Sequence, residues 1–437
     1  MRSRASPTST TPDIAAAERE PASARRHVRR LMLFFALAYL VEGVGQVGVG
    51  IIGQPLNFFL KGLGWTPVRI SLSLAVLNLP WVIKPVWGLI SDFVPLFGYR
   101  RRAYLVLANL AATAAYGWIA LDGAPDHLVL ALTLTAFAMA IASTLCGALL
   151  VENGQRYAAS AAFVAQQWLW FNVATVATAL AGGLLVQTLP AGAALRAAAA
   201  VAAVTPLLAV GGALALVDEQ RTRVDWTELR RTSRALLRAL ASRRLLVIGG
   251  FLFFYNFSPG FGTPLYFHLT DTLRFSQAYI GTLSAIGSAG WIGGALLHRL
   301  FLRDLSSRAL LNVSLLGGTL ATLAYLLLRG PQSAAAIYFL NGAASMIAYV
   351  ASLTLAADYC PERSEGFVFA ALMSVTNLAA PLGDSIGAFL YEHAFGGALA
   401  PLIVVSAAAT ASVFLLVPLL RLGDKRQGEP VGSSPPA

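Results

Sequence analysis

PWVIKPVWGLISDFVPLFGYRRRAY, from Pro80 to Tyr104, is the stretch that decides the fold. Its first half is an apolar helix that carries one lysine, Lys84, between Pro80 and Pro85. A charged ammonium in hydrocarbon survives only beside a partner or a water-filled cavity, so Lys84 marks a functional position. The second half is a short loop holding Asp92, Arg100, Arg101 and Arg102. An aspartate at one helix end facing arginines at the start of the next can pair bidentately, as in a cytoplasmic gating latch. Lysine and latch together imply a carrier that changes shape within a membrane.

The rest of the chain agrees. It has 437 residues, 57% hydrophobic and 12% charged, with a mean hydropathy of +0.66. That leaves too little polar surface for a soluble globule. Crossing a hydrocarbon core of ~30 Å takes ~20 helical residues, and runs of that length recur twelve times. They fall near 31–58, 68–91, 103–121, 127–151, 160–187, 195–217, 245–269, 277–301, 309–328, 333–356, 366–391 and 398–420. The expectation is an all-α membrane protein with twelve transmembrane helices. The domains are a disordered cytoplasmic tail (1–30), a six-helix bundle (31–217), a cytoplasmic linker (218–244), a second six-helix bundle (245–421) and a disordered tail (422–437). Spaced Leu and Trp residues in the linker predict an amphipathic helix on the membrane face. Residues 1–30 have no apolar core and so do not read as a secretory signal, and Asp13, Glu18 and Glu20 count against a transit peptide.

Charge placement gives the orientation. Of the 32 Lys and Arg, 26 lie in the tails, the linker and the loops on their side, which puts both termini in the cytoplasm. The net charge of +11 is therefore spread over membrane-flanking loops, so no nucleic-acid partner is expected. Cys146, Cys360 and five scattered histidines have no ligand spacing, which predicts neither disulfide nor metal. No nucleophile with its base and no phosphate loop is visible, so the chain does not read as an enzyme, and no cofactor is expected.

The halves repeat. GQPLNFFL at Gly53–Leu60 and GTPLYFHL at Gly262–Leu269 share Gly, Pro, Leu, Phe and Leu at one offset, and Trp81 recurs as Trp291. Paired repeats place a binding site between them near the midplane. Gly43, Gly45 and Gly48 spell GxGxxG inside a span, where close helix packing explains them, as it does Gly290 and Gly294.

Apart from Arg196 at the very edge of span six, charged residues avoid spans three, six, nine and twelve, as lipid-facing helices should. Candidate substrate or proton-site residues lie elsewhere: Glu42 and Gln46 on span one, Lys84 on span two, Gln166, Gln167 and Trp170 on span five, Asn256 on span seven, Asn377 and Asp384 on span eleven. Glu42 and Lys84 read either as a structural bridge or as a proton and substrate site. The amides beside Trp168 and Trp170 suit a flat heteroaromatic ligand, or else serve as interhelical hydrogen bonds and interfacial anchors. Asp384 falls far enough along span eleven to read also as an outer-interface charge.

The opening stretch resembles the signature of the folate-biopterin transporter family, a branch of the major facilitator superfamily. Pro80, Trp81, Lys84, Pro85, Gly88, Ser91, Asp92, Pro95, Gly98, Tyr99, Arg100, Arg101 and Tyr104 all match it. Glu42-Gly43, Gly50, Pro55, Val151-Glu152 and the segment from Cys360 to Ser374 add support. The resemblance implies a monomeric, multi-pass facilitator of the plasma (inner) membrane or an organelle membrane, a symporter moving pterin or folate with protons. One departure stands out: the family tends to carry acidic residues in span four where this chain has Ser143 and Gly147. A muropeptide carrier and a non-transporting assembly factor of the same fold are the alternatives, and Glu42 and Lys84 argue against the second.

Overall fold

The computed structural model describes residues 22–123, 125–224, 226, 230–231, 242–359 and 365–420. Most of the expected amino-terminal tail, the carboxy-terminal tail, most of the linker helix and residues 360–364, the start of the segment from Cys360 to Ser374, lie outside the described residues. Helix is nearly continuous within them, and ten helices are each long and apolar enough to cross a membrane. Two broken segments, the first and the seventh, complete twelve spans.

The first span is not the single helix expected over 31–58. It is α1 (Ala22–Gly45) and α2 (Gly53–Gly62), separated by an unwound turn. Helix thus begins inside the stretch expected as tail. The second span is α3 (Pro67–Val82) and α4 (Lys84–Phe93), followed by α5 (Arg102–Leu121), α6 (Pro125–Arg156), α7 (Ser160–Thr188), and α8 (Ala191–Val204) with α9 (Pro206–Leu216). The seventh span is again broken, into α10 (Arg243–Asn256) and α11 (Gly262–Phe267). Then come α12 (Gln277–Leu297), α13 (Ser307–Ala324), α14 (Pro331–Asp358), α15 (Glu365–Phe389) and α16 (Leu399–Ser412). The linker's first residues, 218–224, are not helical.

Local chemistry sets many of these limits. Thr66, Ser242, Ser276 and Ser306 cap helix starts, their hydroxyls accepting from the backbone N–H groups of Arg69, Leu245, Tyr279 and Ala309 at 3.2–3.4 Å. The repeated GxPLxFxL segments open the second pieces of the two broken spans, so the duplication read in the sequence recurs in space. Backbone groups freed by the breaks find partners nearby, as they must in lipid. Tyr116 donates its hydroxyl to the Gly45 carbonyl, and the Gly260 N–H donates to the Gly383 carbonyl at 3.0 Å.

Apolar clusters fill each half separately. One packs Leu31, Phe34, Phe35, Leu145 and Phe163, and another Leu245, Ile248, Leu310 and Leu355. Gly43 packs closely: a Cβ there would lie 2.6 Å from the Ala174 Cβ, which places α1 directly on α7. Leucines of α5, α9 and α13 are left exposed, including Leu107, Leu208 and Leu320, and so is Leu415 in the turn that follows α16, as expected of spans facing lipid.

The halves meet where α7 packs on α12 and α3 on α15. The face bearing the start of α1 is here the amino-terminal face. On the opposite face, Lys61 pairs with Asp271 and donates to Thr270. There too the Gln54 amide donates to the Gln277 carbonyl at 2.7 Å, and Gln187 accepts from the Gln277 N–H at 3.0 Å. Gly183 and Gly281 let the helices touch, since a Cβ on Gly281 would come 2.5 Å from the Ala179 carbonyl oxygen. Among the described residues, hydrogen bonds between the halves lie at this face or at mid-depth, and none at the amino-terminal face. The molecule is therefore closed opposite its amino-terminal face. Gly281→Leu should part this seam and raise maleimide labelling of a cysteine placed at Gln54; unchanged labelling would contradict the closed contact.

Candidate functional site

The lysine sits where the second span bends. Pro85 has no N–H, so the Trp81 carbonyl, which an unbroken helix would pair with residue 85, is left over. Asn377 on α15 donates its amide to that carbonyl at 3.2 Å, and Asn78 donates to the Asn377 carbonyl at 2.6 Å. Lys84 starts α4 just past the bend, at Ile83, with its ammonium 4.2 Å from the centre of the Trp81 ring, a cation–π contact.

Glu42 and Lys84 do not pair directly. Ser143 of α6 stands between them: its hydroxyl donates to Glu42 Oε1 at 2.8 Å and accepts from Lys84 Nζ at 3.0 Å. Charges from spans one and two are thus joined through a neutral group on span four. The position singled out as a departure from the family pattern is the connector, a role no spacing in the sequence signals.

The other expected residues divide. Gln46 lies in the break of the first span, and Gln46 and Gln167 are half-buried with side-chain amides that have no hydrogen-bond partner among the described residues. Gln166 and Trp170 engage each other, the indole N–H donating to Gln166 Oε1 at 2.8 Å, so they are not an open platform. Trp168 turns toward the other half instead. Its ring lies edge-on to Tyr349 at 5.9 Å between centroids, and Tyr349 in turn lies 5.6 Å from Trp291. This aromatic group bridges the halves. Asn256 bonds mainly within its own helix, to the Leu252 carbonyl at 2.8 Å. Asp384 packs against Gly260 in the break of the seventh span, where a Cβ on Gly260 would overlap its carboxylate.

In the latch, Arg101 is the operative arginine, 4% exposed. It donates to Ser91 Oγ and Asp92 Oδ1, each at 2.5 Å, and to Glu152 Oε1 at 2.8 Å. Burial works against its charge, but Asp92 and Glu152 more than offset that and hold its pKa above the ordinary arginine value. Arg100, Arg101 and Arg102 present three successive backbone N–H groups to the Glu219 carboxylate at 2.8–3.1 Å. The Arg102 side chain goes to the Leu214 carbonyl at 2.9 Å. Asp92 thus closes a cluster inside the amino-terminal half. In the sequence Glu152 reads only as the end of span four, and Glu219 is hidden among the linker charges.

Comparison with known proteins fits this geometry. The sequence profile of the BT1 family matches residues 47–422. A folate-biopterin transporter of Synechocystis sp. is 30% identical over 417 residues, covering 90% of this chain and 81% of that protein. Folate transporter 2 of Plasmodium falciparum is 24% identical, covering 74% of this chain and 73% of that one. A mutant of the nucleoside transporter NupG superposes with a TM-score of 0.70 at 12% identity, covering 89% of this chain and 99% of its own. A D-xylose-proton symporter gives 0.66 at 15% identity, covering 89% and 97%. These likenesses carry the fold, that of the major facilitators. With that fold, its signature loop and a profile match over most of its length, the chain is a multi-pass membrane transporter that belongs to the BT1 family.

Proposed function

We propose that the protein is a proton-coupled carrier of folate- or biopterin-like solutes, with Glu42 the proton site and Lys84 the cation that meets an acidic solute. The observation that carries this reading is the Glu42–Ser143–Lys84 chain at the bend next to the contact between the halves. Protonating Glu42 would remove the charge that Ser143 relays to Lys84, so proton occupancy and solute affinity would be linked through one hydroxyl. Trp168, Tyr349 and Trp291, with the unengaged amides of Gln46 and Gln167, offer faces and hydrogen bonds to a flat ring. The solute class is supported by the names of the relatives.

The same reading takes 31–217 and 245–421 as the two moving bundles. The protein works as a monomer in the plasma membrane with both termini cytoplasmic, because basic residues crowd the amino-terminal face. The contacts of this structure then describe an inward-facing state. Asp384, at the break of span seven, is a second carboxylate within the membrane that can carry a proton.

Uptake of radiolabelled folate, biopterin and a muropeptide into vesicles, with and without an imposed pH gradient, tests the reading. Gradient-stimulated entry of either pterin is expected; muropeptide entry alone would overturn the solute class. A proton moving down one pH unit supplies about 1.4 kcal/mol, enough for about a tenfold solute ratio. Glu42→Gln should lose that accumulation and keep exchange, whereas Lys84→Ala should lose both. Should paired apolar replacements, Glu42→Leu with Lys84→Met, restore transport that each single change loses, the two charges are only a bridge.

The latch gives a separate expectation. Asp92→Asn takes one carboxylate from Arg101 and leaves the solute site intact, so turnover should fall while affinity stays. A change in affinity with turnover preserved would remove Asp92 from the gating cycle.

A further inference from the structure

Four arginines, Arg25, Arg26, Arg29 and Arg30, crowd the start of α1. Arg25 and Arg29, and Arg26 and Arg30, are each four residues apart and so stand in neighbouring rows on the helix. With Leu33 and Leu216 they line a cavity of about 480 Å³. Arg30 fixes its shape. One guanidinium nitrogen donates to Asp218 Oδ2 at 2.9 Å and another to the Ala215 carbonyl at 2.6 Å, which draws the end of α9 against α1. His27 approaches the same aspartate at 3.6 Å. Arg25, Arg26 and Arg29 have no carboxylate partner among the described residues, in contrast to Arg101 with two.

We propose that this cleft binds the headgroup of an anionic phospholipid, its acyl chains lying along α1 and α9. The charge of the cleft is complementary to a phosphate: four guanidinium groups face one aspartate. Guanidinium groups take phosphate oxygens in bidentate fashion. Its other wall is complementary to hydrocarbon. Leu33, 53% exposed and one turn further along α1 than Arg30, and the half-buried Leu216 at the end of α9 line the cleft beside the arginines. A soluble phosphate would satisfy the arginines and leave that wall unused, whereas a phospholipid meets both. Basic pockets between spans at the headgroup level recognise lipids in this way. The proposal does not depend on the solute or on the direction of transport. Its consequence is that lipid would hold the first span, which carries Glu42, to the sixth.

Native mass spectrometry of the full chain in detergent, titrated with phosphatidylglycerol or phosphatidylcholine, reads this site without any transport assay. Phosphatidylglycerol should bind at least about fivefold tighter than phosphatidylcholine, about the contribution of one basic residue at a membrane surface. Replacing Arg25, Arg26 and Arg29 together by glutamine should weaken phosphatidylglycerol about tenfold or more and leave phosphatidylcholine unchanged, while lysine at all three should keep most of the preference. Equal binding of the two lipids, or a preference that survives the glutamine changes, would overturn the proposal. Displacement of phosphatidylglycerol by millimolar inorganic phosphate would also overturn it, because the site would then serve a soluble anion.

Discussion

An ammonium held in a membrane helix between two prolines sets the terms for what surrounds it. At the centre of a helix such a charge costs ~2.5–3.5 kcal/mol or more unless it is matched. The match for Lys84 is drawn from three spans: the Trp81 ring beside it, Ser143 on the fourth and, beyond the serine, Glu42 on the first. A hydroxyl that accepts from the lysine and donates to the carboxylate has a definite direction. If Glu42 gains a proton, that direction loses its reason, and Lys84 is left with a weaker acceptor. The charge state of one residue is thereby felt at the other without direct contact.

The residue after Lys84 also joins the two bundles. Pro85 strips the Trp81 carbonyl of its helical partner, and Asn377 from the other half takes the vacancy while holding Asn78 through its own carbonyl. The cationic site and the mid-depth contact between halves therefore share a single helical turn, so an event at Lys84 need not travel to reach the pivot. Contacts above and below differ in kind. On the opposite face they cross between halves, through Lys61 with Asp271 and Gln54 with Gln277. On the amino-terminal face the Arg101 cluster stays within one half, tying α4, α5, α6 and the linker into one body. Rigid bundles with a breakable seam at one face are what a rocking carrier requires.

Much of this was legible in the sequence because lipid imposes simple rules. Twelve apolar runs, the pairing loop at Asp92 and Arg101 and the repeat at Gly53 and Gly262 follow from length, charge and pattern. The helix breaks were harder to read: the residues from Gln46 to Ile52 are as apolar and glycine-rich as a helix, and only tertiary partners such as Tyr116 make unwinding tolerable. Side-chain direction was harder still. Trp168 and Trp170 stand two residues apart on one helix and so point different ways, one to Tyr349 and the other back to Gln166. Hydropathy cannot tell them apart. Glu219 was obscured by a linker full of charges, since its role rests on three backbone N–H groups that no composition reveals.

The serine at 143 bears on what the carrier holds. A carboxylate there, as the family pattern tends to have, would give Lys84 two acids and leave the group with a net negative charge. Serine keeps the connection and removes that charge, so Glu42 and Lys84 balance and protonation of Glu42 leaves a net positive site. A net positive site in a low-dielectric cavity favours an anionic solute over a neutral one. On the function proposed above, the Ser143 connector would therefore favour a carboxylate-bearing solute such as folate over a bare pterin.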